Sequence, residues 1–511
     1  MSQIVGKEFV GIIHAVSSNN SVDCEYDLSV HVYELVDTLV DVKTRHDIPK
    51  NNWVKIKITS HENNIIVGEL VEIINDRIDT ILEEKFNLNK IRSSLKEPIY
   101  TNAGNNEHRD LTHHTVFTID PVINNDCERG FSVQYIDDIT HIYVHISDVV
   151  HYINPGHPNF DSIIKRGNSF FGDKKKWGML PEVYSDFICS ILPLKNTYAI
   201  TLEFIYSENE IQFVDWYYST VRSTMRYTYE DADDIIDFDK LYNQELAIFC
   251  ESAMYIKKYL NDFDLSITSI SQNAVKYWLL YVNKIMYSEI DTIYRVNLTP
   301  ENNKFELLQD YIKYYHPYLT IDTNNRAEIV DFVEKYETSL LYFILGEIIK
   351  NGEYSNENNF HYGIGSNGYT HFTSPMNRAC DLLNQYLLKW VNFKEDIVVD
   401  ISKYVKCMND NESKQHKINN FIQKYNIYQR TEVGNTFNGI IIGINNNLLD
   451  VYIEEFNSKY HIELPYNMHI KPTKNPEGAD LNLQRFNMFQ SITVIVKSIM
   501  FDRVEFSVLC E

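Results

Sequence analysis

Three carboxylates fall within nine residues of the stretch 118–133: Asp120, Asp126 and Glu128, with Arg129 immediately behind them. Pro121 and the Asn124-Asn125 pair mark the intervening segment as a loop. Carboxylate oxygens gathered in this way are hard ligands for a divalent cation such as Mg2+, because they supply the compensating negative charge. A solvated acidic loop is the competing reading, and the more frequent one on a chain that carries 71 Asp+Glu against 47 Lys+Arg. The formal net charge of -24 repels polyphosphate at long range, so a nucleic-acid ligand needs local basic clusters that outweigh the global field. The seven cysteines (Cys24, Cys127, Cys189, Cys250, Cys380, Cys407 and Cys510) are odd in number and include no C-x-x-C pair. They read as reduced thiols, with neither a disulfide framework nor a zinc site.

Such residues need a scaffold to hold them. A chain of 511 residues is too long for one ordinary core and points to several domains of roughly 100 to 200 residues each. With 44% hydrophobic residues it can fill packed cores, which excludes global disorder. No apolar run approaches the ~20 residues that a membrane span needs, and the start MSQIVGKEFVGIIHAV lacks the marks of a secretory signal. The expected location is cytoplasmic, without a membrane partner.

An internal echo constrains the ends. Residues 5–13 (VGKEFVGII) and 433–441 (VGNTFNGII) share Val, two Gly, Phe and two Ile at one spacing. Each copy opens a strand-rich stretch: Val22–Tyr26, Val54–Ile58 and Ile65–Leu70 follow the first, and Leu448–Ile453, Lys459–Leu464, Ile492–Ser498 and Val504–Leu509 the second. The spacing predicts a small OB-type β-barrel over 1–75 and another over 430–511, with the glycines serving the coiling of each first strand. Two unrelated β domains sharing a strand start by chance is the alternative. Residues 76–115, with Lys90, Arg92, Lys96 and the Asn-rich stretch 102–106, read as a helical connector and loop. Residues 116–425 read as one α+β domain. Strands such as Ile142–Ile146 and Tyr198–Ile205 give way to helical spacing, as in Leu246, Cys250, Ala253, Met254 and Leu260, and again across Val330–Ile344.

The sequence TIDPVINNDCERGFSV at 118–133 resembles, without gaps, the first signature of the RNase II (RNB) family of 3'-to-5' exoribonucleases, usually T-I-D-P-x-x-x-x-D-x-D-D-A-x-S-V. HIYVHISDVVHY at 141–152 is similar to the family's V-H-I-S-D-V-S-H-Y strand. Arg166-Gly167-Asn168-Ser169, Met179–Glu182, Cys189–Ile191, Val221–Ser223, His361–Ile364 and Tyr369–Pro375 follow in family order, so the similarity covers roughly 109–425. The resemblance implies an α+β multidomain protein: a central RNB-type domain flanked by an N-terminal cold-shock-type barrel and a C-terminal OB barrel. It also implies a deep channel for single-stranded RNA, Mg2+-activated water, and release of nucleoside 5'-monophosphates. Asp120, Asp126 and Glu128 become the metal ligands, and Asn377 and Arg378 join them and Arg129 in the catalytic constellation. Phe171 falls where the family places an aromatic that stacks on terminal bases, an interaction worth ~1–3 kcal/mol per base. A core Phe is the competing reading. Arg166, Lys174, Lys175 and Lys176, with Lys165, form the dense basic cluster available to contact RNA, although 174–176 fit a solubilising loop equally well.

The departures from the pattern bear on activity. Glu128 and Arg129 stand where the family has two Asp, which takes the four signature positions from about -4 to about -2. An Arg roughly 5 Å from Mg2+ is repelled by ~6–7 kcal/mol at an effective dielectric of 20. Asn377 replaces the first Arg of S-P-I-R-R-Y-x-D, the one that neutralises the scissile phosphate, while Arg378 matches the second. An Asn donates a neutral hydrogen bond and cannot form a bidentate charged clamp. The family's helical carboxylate has no counterpart in Lys414–Asn420. The sequence therefore predicts a single-stranded RNA-binding protein on an exoribonuclease scaffold with lost or much reduced nuclease activity. A working Mg2+-dependent exoribonuclease is one alternative. A protein-interaction scaffold that has lost RNA is the other, and the net charge is its chief support.

Overall fold

The computed structural model describes residues 4–18, 26–32, 35, 39–46, 48, 52–62, 65–74, 78–88, 108–121, 126–208, 210–238, 243–260, 263, 269–290, 293–349, 351–393, 402–445, 448–464, 486–500 and 503–509. Most of the expected connector, including Lys90, Arg92, Lys96 and 102–106, lies outside the described residues, as do Cys24, Cys510 and 122–125 of the acidic loop. The chain divides into two compact units. One comprises residues 1–90, 171–175 and 415–511, and the other comprises 91–170 and 176–414.

In the first unit, β1 (Glu8–Ser18), β2 (Tyr26–Val32), β3 (Leu39–Thr44), β4 (Trp53–Glu62) and β5 (Ile65–Ile74) close into a barrel in the order β1-β2-β3-β5-β4. The period-2 pattern of β4 shows why: Val54, Ile56 and Ile58 are fully buried while Lys55 and Lys57 alternate with them on the outside. Helix α1 (Ile78–Phe86) follows and buries Ile78, Ile81 and Leu82.

The second unit is built on a seven-stranded sheet. Its strands are β6 (Arg109–Asp110), β7 (Val116–Ile119), β8 (Arg129–Ile136), β9 (Ile139–Ser147) and, beyond the short hairpin of β10 (Phe170–Phe171) and β11 (Lys176–Trp177), β12 (Thr197–Ser207), β13 (Glu210–Val221) and β14 (Ser223–Tyr227). The order is β14-β7-β8-β9-β12-β13-β6. Asp137 and Asp138, with φ of 49° and 63°, make the two-residue turn between β8 and β9, both in the left-handed region that such a hairpin requires. Helix α2 (Phe160–Arg166) lies between β9 and β10, and α3 (Tyr229–Phe238), α4 (Gln244–Leu260) and α5 (Ile270–Glu289) follow the sheet. Phe117, Phe131, Val144, Leu202 and Phe204 on one sheet face pack with Phe249 of α4 and Trp278 of α5 in one core. The opposite face carries a buried polar row: Ser132 Oγ lies 3.2 Å from His114 Nδ1 and 3.0 Å from His145 Nε2, whose Nδ1 is 2.8 Å from Thr201 Oγ1.

The rest of this unit holds β15 (Tyr294–Val296) paired with β16 (Glu353–Ser355), and α6 (Glu306–Tyr315), α7 (Arg326–Lys335), α8 (Ser339–Ile348) and α9 (Ala379–Phe393). The helical spacing over Val330–Ile344 is divided between two helices, α7 and α8. Tyr336 leaves the helical conformation, and the Thr338 hydroxyl caps α8 by accepting from Leu341 N at 3.1 Å. Helix α10 (Ser402–Arg430) leads to the last sheet, whose strands β17 (Thr436–Asn445), β18 (Leu448–Ile453), β19 (Ser458–Glu463), β20 (Ser491–Met500) and β21 (Arg503–Val508) lie in the order β19-β18-β17-β20-β21.

The echoed glycines do the same work at both ends. Gly6 at φ 85° and Gly434 at φ 94° turn the chain in the left-handed region just before β1 and β17. Farther along, a Cβ on Gly439 would stand 2.4 Å from Val451 Cγ1, and the strand then bulges between Ile441 and Gly443, as β1 does between Ile13 and Ala15. No described helix is long and apolar enough to cross a membrane.

Candidate active site

The acidic loop is clipped to the sheet at both ends. Asp120 N donates to Tyr227 O at 3.1 Å, just past the end of β7. Cys127 N donates to Ser190 Oγ at 2.9 Å, and Ser147 N to Glu128 O at 2.9 Å, just before β8. These bonds hold Asp120, Asp126 and Glu128 where each is only 2% exposed. The turn into α9 supplies the facing wall. Ser169 N donates to Asn377 O at 2.9 Å and Ala379 N to Gly167 O at 2.7 Å, which ties residues 377–379 to the segment that follows α2.

Within this pocket the structure brings together all six residues of the expected constellation and adds a seventh. Arg129 Nη2 lies 3.6 Å from both Asp120 Oδ1 and Glu128 Oε1, and Nη1 donates to Ser374 Oγ at 3.3 Å. Lys176 Nζ lies 2.5 Å from Asp126 Oδ2. Asn377 Nδ2 donates to Asp126 Oδ2 at 2.9 Å and to Glu128 Oε1 at 3.0 Å, and Met376 N donates to Glu128 Oε2 at 3.1 Å. Arg378 is committed to Asp381, which it meets through Nε at 2.8 Å and Nη2 at 2.7 Å. Among the described residues, no donor lies within hydrogen-bonding geometry of either Asp120 oxygen, and Arg129 is the charged neighbour.

The electrostatics follow from burial and these pairs. Burial raises the Asp120 and Glu128 pKa values above the ordinary carboxylate range, with Arg129 opposing the shift in each case. Burial works against the charge on Arg129, but Glu128 and Asp120 outweigh it and hold its pKa above the usual value. Asp381 does the same for Arg378.

The remaining residues of the sequence reading separate. Lys176 leaves the basic cluster for the acid pocket. Lys175 forms an ion pair with Glu83 of α1, and the Lys174 backbone N donates to Asp79 Oδ2 at 3.0 Å while its side chain stays exposed. Arg166 is 4% exposed. Of the two adjacent phenylalanines, Phe170 is the core residue, with Lys414 Nζ 4.9 Å from its ring centre, whereas Phe171 is 39% exposed. The Phe171 backbone is fixed by Gln415, which accepts from its N at 2.9 Å and donates to its O at 3.1 Å. Sequence reasoning missed Lys176 on Asp126 and Asp381 on Arg378. The i,i+3 spacing of Arg378 and Asp381 was a visible signal for the second.

The RNB domain profile matches residues 108–271 and 268–394. Ribonuclease R of Aquifex aeolicus is 25% identical over 387 residues, which cover 66% of this chain and 55% of the relative. Ribonuclease R of Mycoplasma pneumoniae is 24% identical over 395 residues, covering 66% and 54%. The chain thus spans about half the length of the curated relatives it matches. Among solved structures, Mycoplasma genitalium RNase R in complex with ribose-methylated single-stranded RNA superposes with a TM-score of 0.75 at 18% identity, covering 98% of this chain and 89% of the other. Yeast Ssd1, a pseudonuclease, gives 0.66 at 16% identity, covering 91% and 66%.

Proposed function

The chain belongs to the RNB domain family, and from that premise we propose that it is a single-stranded RNA-binding protein on an exoribonuclease scaffold, holding RNA without hydrolysing it. One observation carries this reading: the carboxylates that the family pattern gives to a metal are matched by the protein's own donors. Lys176 stands on Asp126, Arg129 lies between Asp120 and Glu128, and the Asn377 amide bridges Asp126 and Glu128. Three carboxylates and two cations leave a net charge of -1, against the strongly negative set that a hard divalent cation requires. Mg2+ is the cofactor that the family implies, and as these residues stand they do not fit it. The phosphate clamp is missing too, since Asn377 is uncharged and spent on the acids and Arg378 is spent on Asp381.

RNA contacts fall in this reading to the exposed Phe171 ring, as a stacking surface, and to the exposed Lys174 side chain. Solved structures of the Mycoplasma genitalium relative hold both single-stranded and double-stranded RNA. An active Mg2+-dependent 3'-to-5' exoribonuclease remains the second reading. It draws on one feature, the two Asp120 oxygens, which have no geometric hydrogen-bond partner among the described residues.

Retention of labelled single-stranded RNA, measured in EDTA and in Mg2+ over a salt series, tests the proposal. Equal retention in both, falling with salt by about 0.7 log units per log unit for each phosphate contacted, is the expected result. Retention that appears only with Mg2+ contradicts it.

A further inference from the structure

The second unit holds another group of ligand-type side chains, which the proposed function does not use. A ring nitrogen of His108, a ring nitrogen of His151 and a carboxylate oxygen of Asp148 all lie within 4.8 Å of one another. Asp148 and His151 are held by the short 3-10 turn Val149–His151 that follows β9, where Asp148 Oδ1 accepts from His151 N at 3.1 Å. Asp148 is fully buried and His151 is 5% exposed. The His108 and His151 rings both pack on Tyr198, with centroids 4.4 and 4.2 Å away. His151 Nδ1 is buried and has no hydrogen-bond partner among the described residues. A buried polar atom left so is costly, and a bound ligand would relieve it.

Two imidazoles and one carboxylate are the donors that borderline first-row cations select, whereas Mg2+ prefers an all-oxygen shell. We propose that His108, Asp148 and His151 form a binding site for Zn2+ or a similar borderline divalent cation, with Lys389 as its built-in competitor. Lys389 Nζ lies 2.8 Å from Asp148 Oδ2 and 5.3 Å from the centre of the Tyr218 ring. It supplies the charge that the metal would supply, so binding requires the ammonium to move off Asp148. Metal bonds of about 2.0–2.2 Å set tetrahedral ligand atoms ~3.4 Å apart, so the three side chains draw together by roughly an ångström. His108 is the partly exposed member of the three. None of these residues belongs to the acid pocket of Asp120, Asp126 and Glu128. The proposal therefore does not rest on the RNA reading.

The test uses the full chain, stripped with a chelator and titrated with Co2+ in the absence of RNA. The visible ligand-field bands report binding, and Zn2+ displacement is followed by native mass spectrometry. One Co2+ per chain is expected. His108→Ala should weaken binding by about tenfold or more, and Lys389→Met should strengthen it by a similar factor. His108→Ala alters the exposed edge of the cluster, so its fold is checked by its melting curve. Because Lys389→Met leaves the buried Asp148 uncompensated, its melting temperature should rise with Zn2+ by several degrees more than that of the unmodified protein. No Co2+ uptake by either the unmodified protein or Lys389→Met overturns the proposal, as does uptake that His108→Ala leaves unchanged.

Discussion

Replacing Lys176 by Met puts the neutralised acid pocket under direct strain. The ammonium lies 2.5 Å from Asp126 Oδ2, and two unit charges at that distance attract by ~6–7 kcal/mol at an effective dielectric of 20. Desolvation of the pair cancels much of this. Truncation, however, strands a carboxylate that is 2% exposed and leaves it, among the described residues, the Asn377 amide as polar partner. Breaking a buried pair from one side costs about 3–5 kcal/mol, so Lys176→Met should lose that much stability in EDTA by urea titration. The freed oxygens also make the pocket more negative. Mg2+ should then return about 1.4 kcal/mol to the variant at roughly ten times its Kd, and almost nothing to the unmodified protein. A loss below about 1 kcal/mol, with both proteins responding equally to Mg2+, would refute the view that Lys176 takes the cation's place.

Three further outcomes follow from the same geometry. Because Lys176 holds Asp126, Arg129→Asp and Asn377→Arg should each leave the protein inactive, and so should the pair. Only their combination with Lys176→Met should release mononucleotides, and additive gains in a mutant cycle would show the groups to be independent. Burial pushes His145 down to about 3, below its unfolded value near 6.5, so its contribution to stability is full above pH 6.5 and is lost as pH falls toward 3. Urea midpoints should register a loss of about 2 kcal/mol between pH 7.5 and pH 5 from this group, and a flat profile would show that the ring is not held neutral. Gly439→Ala places a methyl 2.4 Å from Val451 Cγ1 and should destabilise the C-terminal sheet by about 1–3 kcal/mol, whereas Gly346→Ala, with open space and a helical setting, should be neutral or stabilising in the same melts.

The sheets at either end were legible because their signals are local. A period-2 pattern such as VKIKI in β4 declares its buried face within five residues, and the repeated glycines mark backbone demands that other residues meet poorly. The helical spacing over 330–344 carried no sign of the break, because hydrophobic periodicity continues through Tyr336 while the break depends on a capping hydroxyl at Thr338. In the acid pocket, the resemblance to the family's signatures is what singled out Asp120, Asp126, Glu128, Arg129, Asn377 and Arg378, since the acidic loop by itself reads as readily as a solvated surface. What the sequence hid was which partner each one takes. Lys176 and Asp126 are 50 positions apart, and Asn377 and Asp126 are 251 apart. Those pairs form only when the hairpin carrying Lys176 and the turn before α9 meet the loop that ends β7. From the sequence, Lys176 belonged with Lys174 and Lys175, because a run of three lysines carries no sign of which one turns inward. The same holds for Phe170 and Phe171, where the strand alternation of β10 buries the first and exposes the second.

The most direct measurement of the central claim is one turnover assay. Purified protein is incubated with end-labelled single-stranded RNA and Mg2+ or Mn2+, and the mixture is read at once for retained RNA and for released nucleoside 5'-monophosphates. The account predicts retained RNA and no mononucleotides over many binding lifetimes. Rapid, metal-dependent release of mononucleotides by the unmodified protein, abolished by Asp120→Asn, would contradict it.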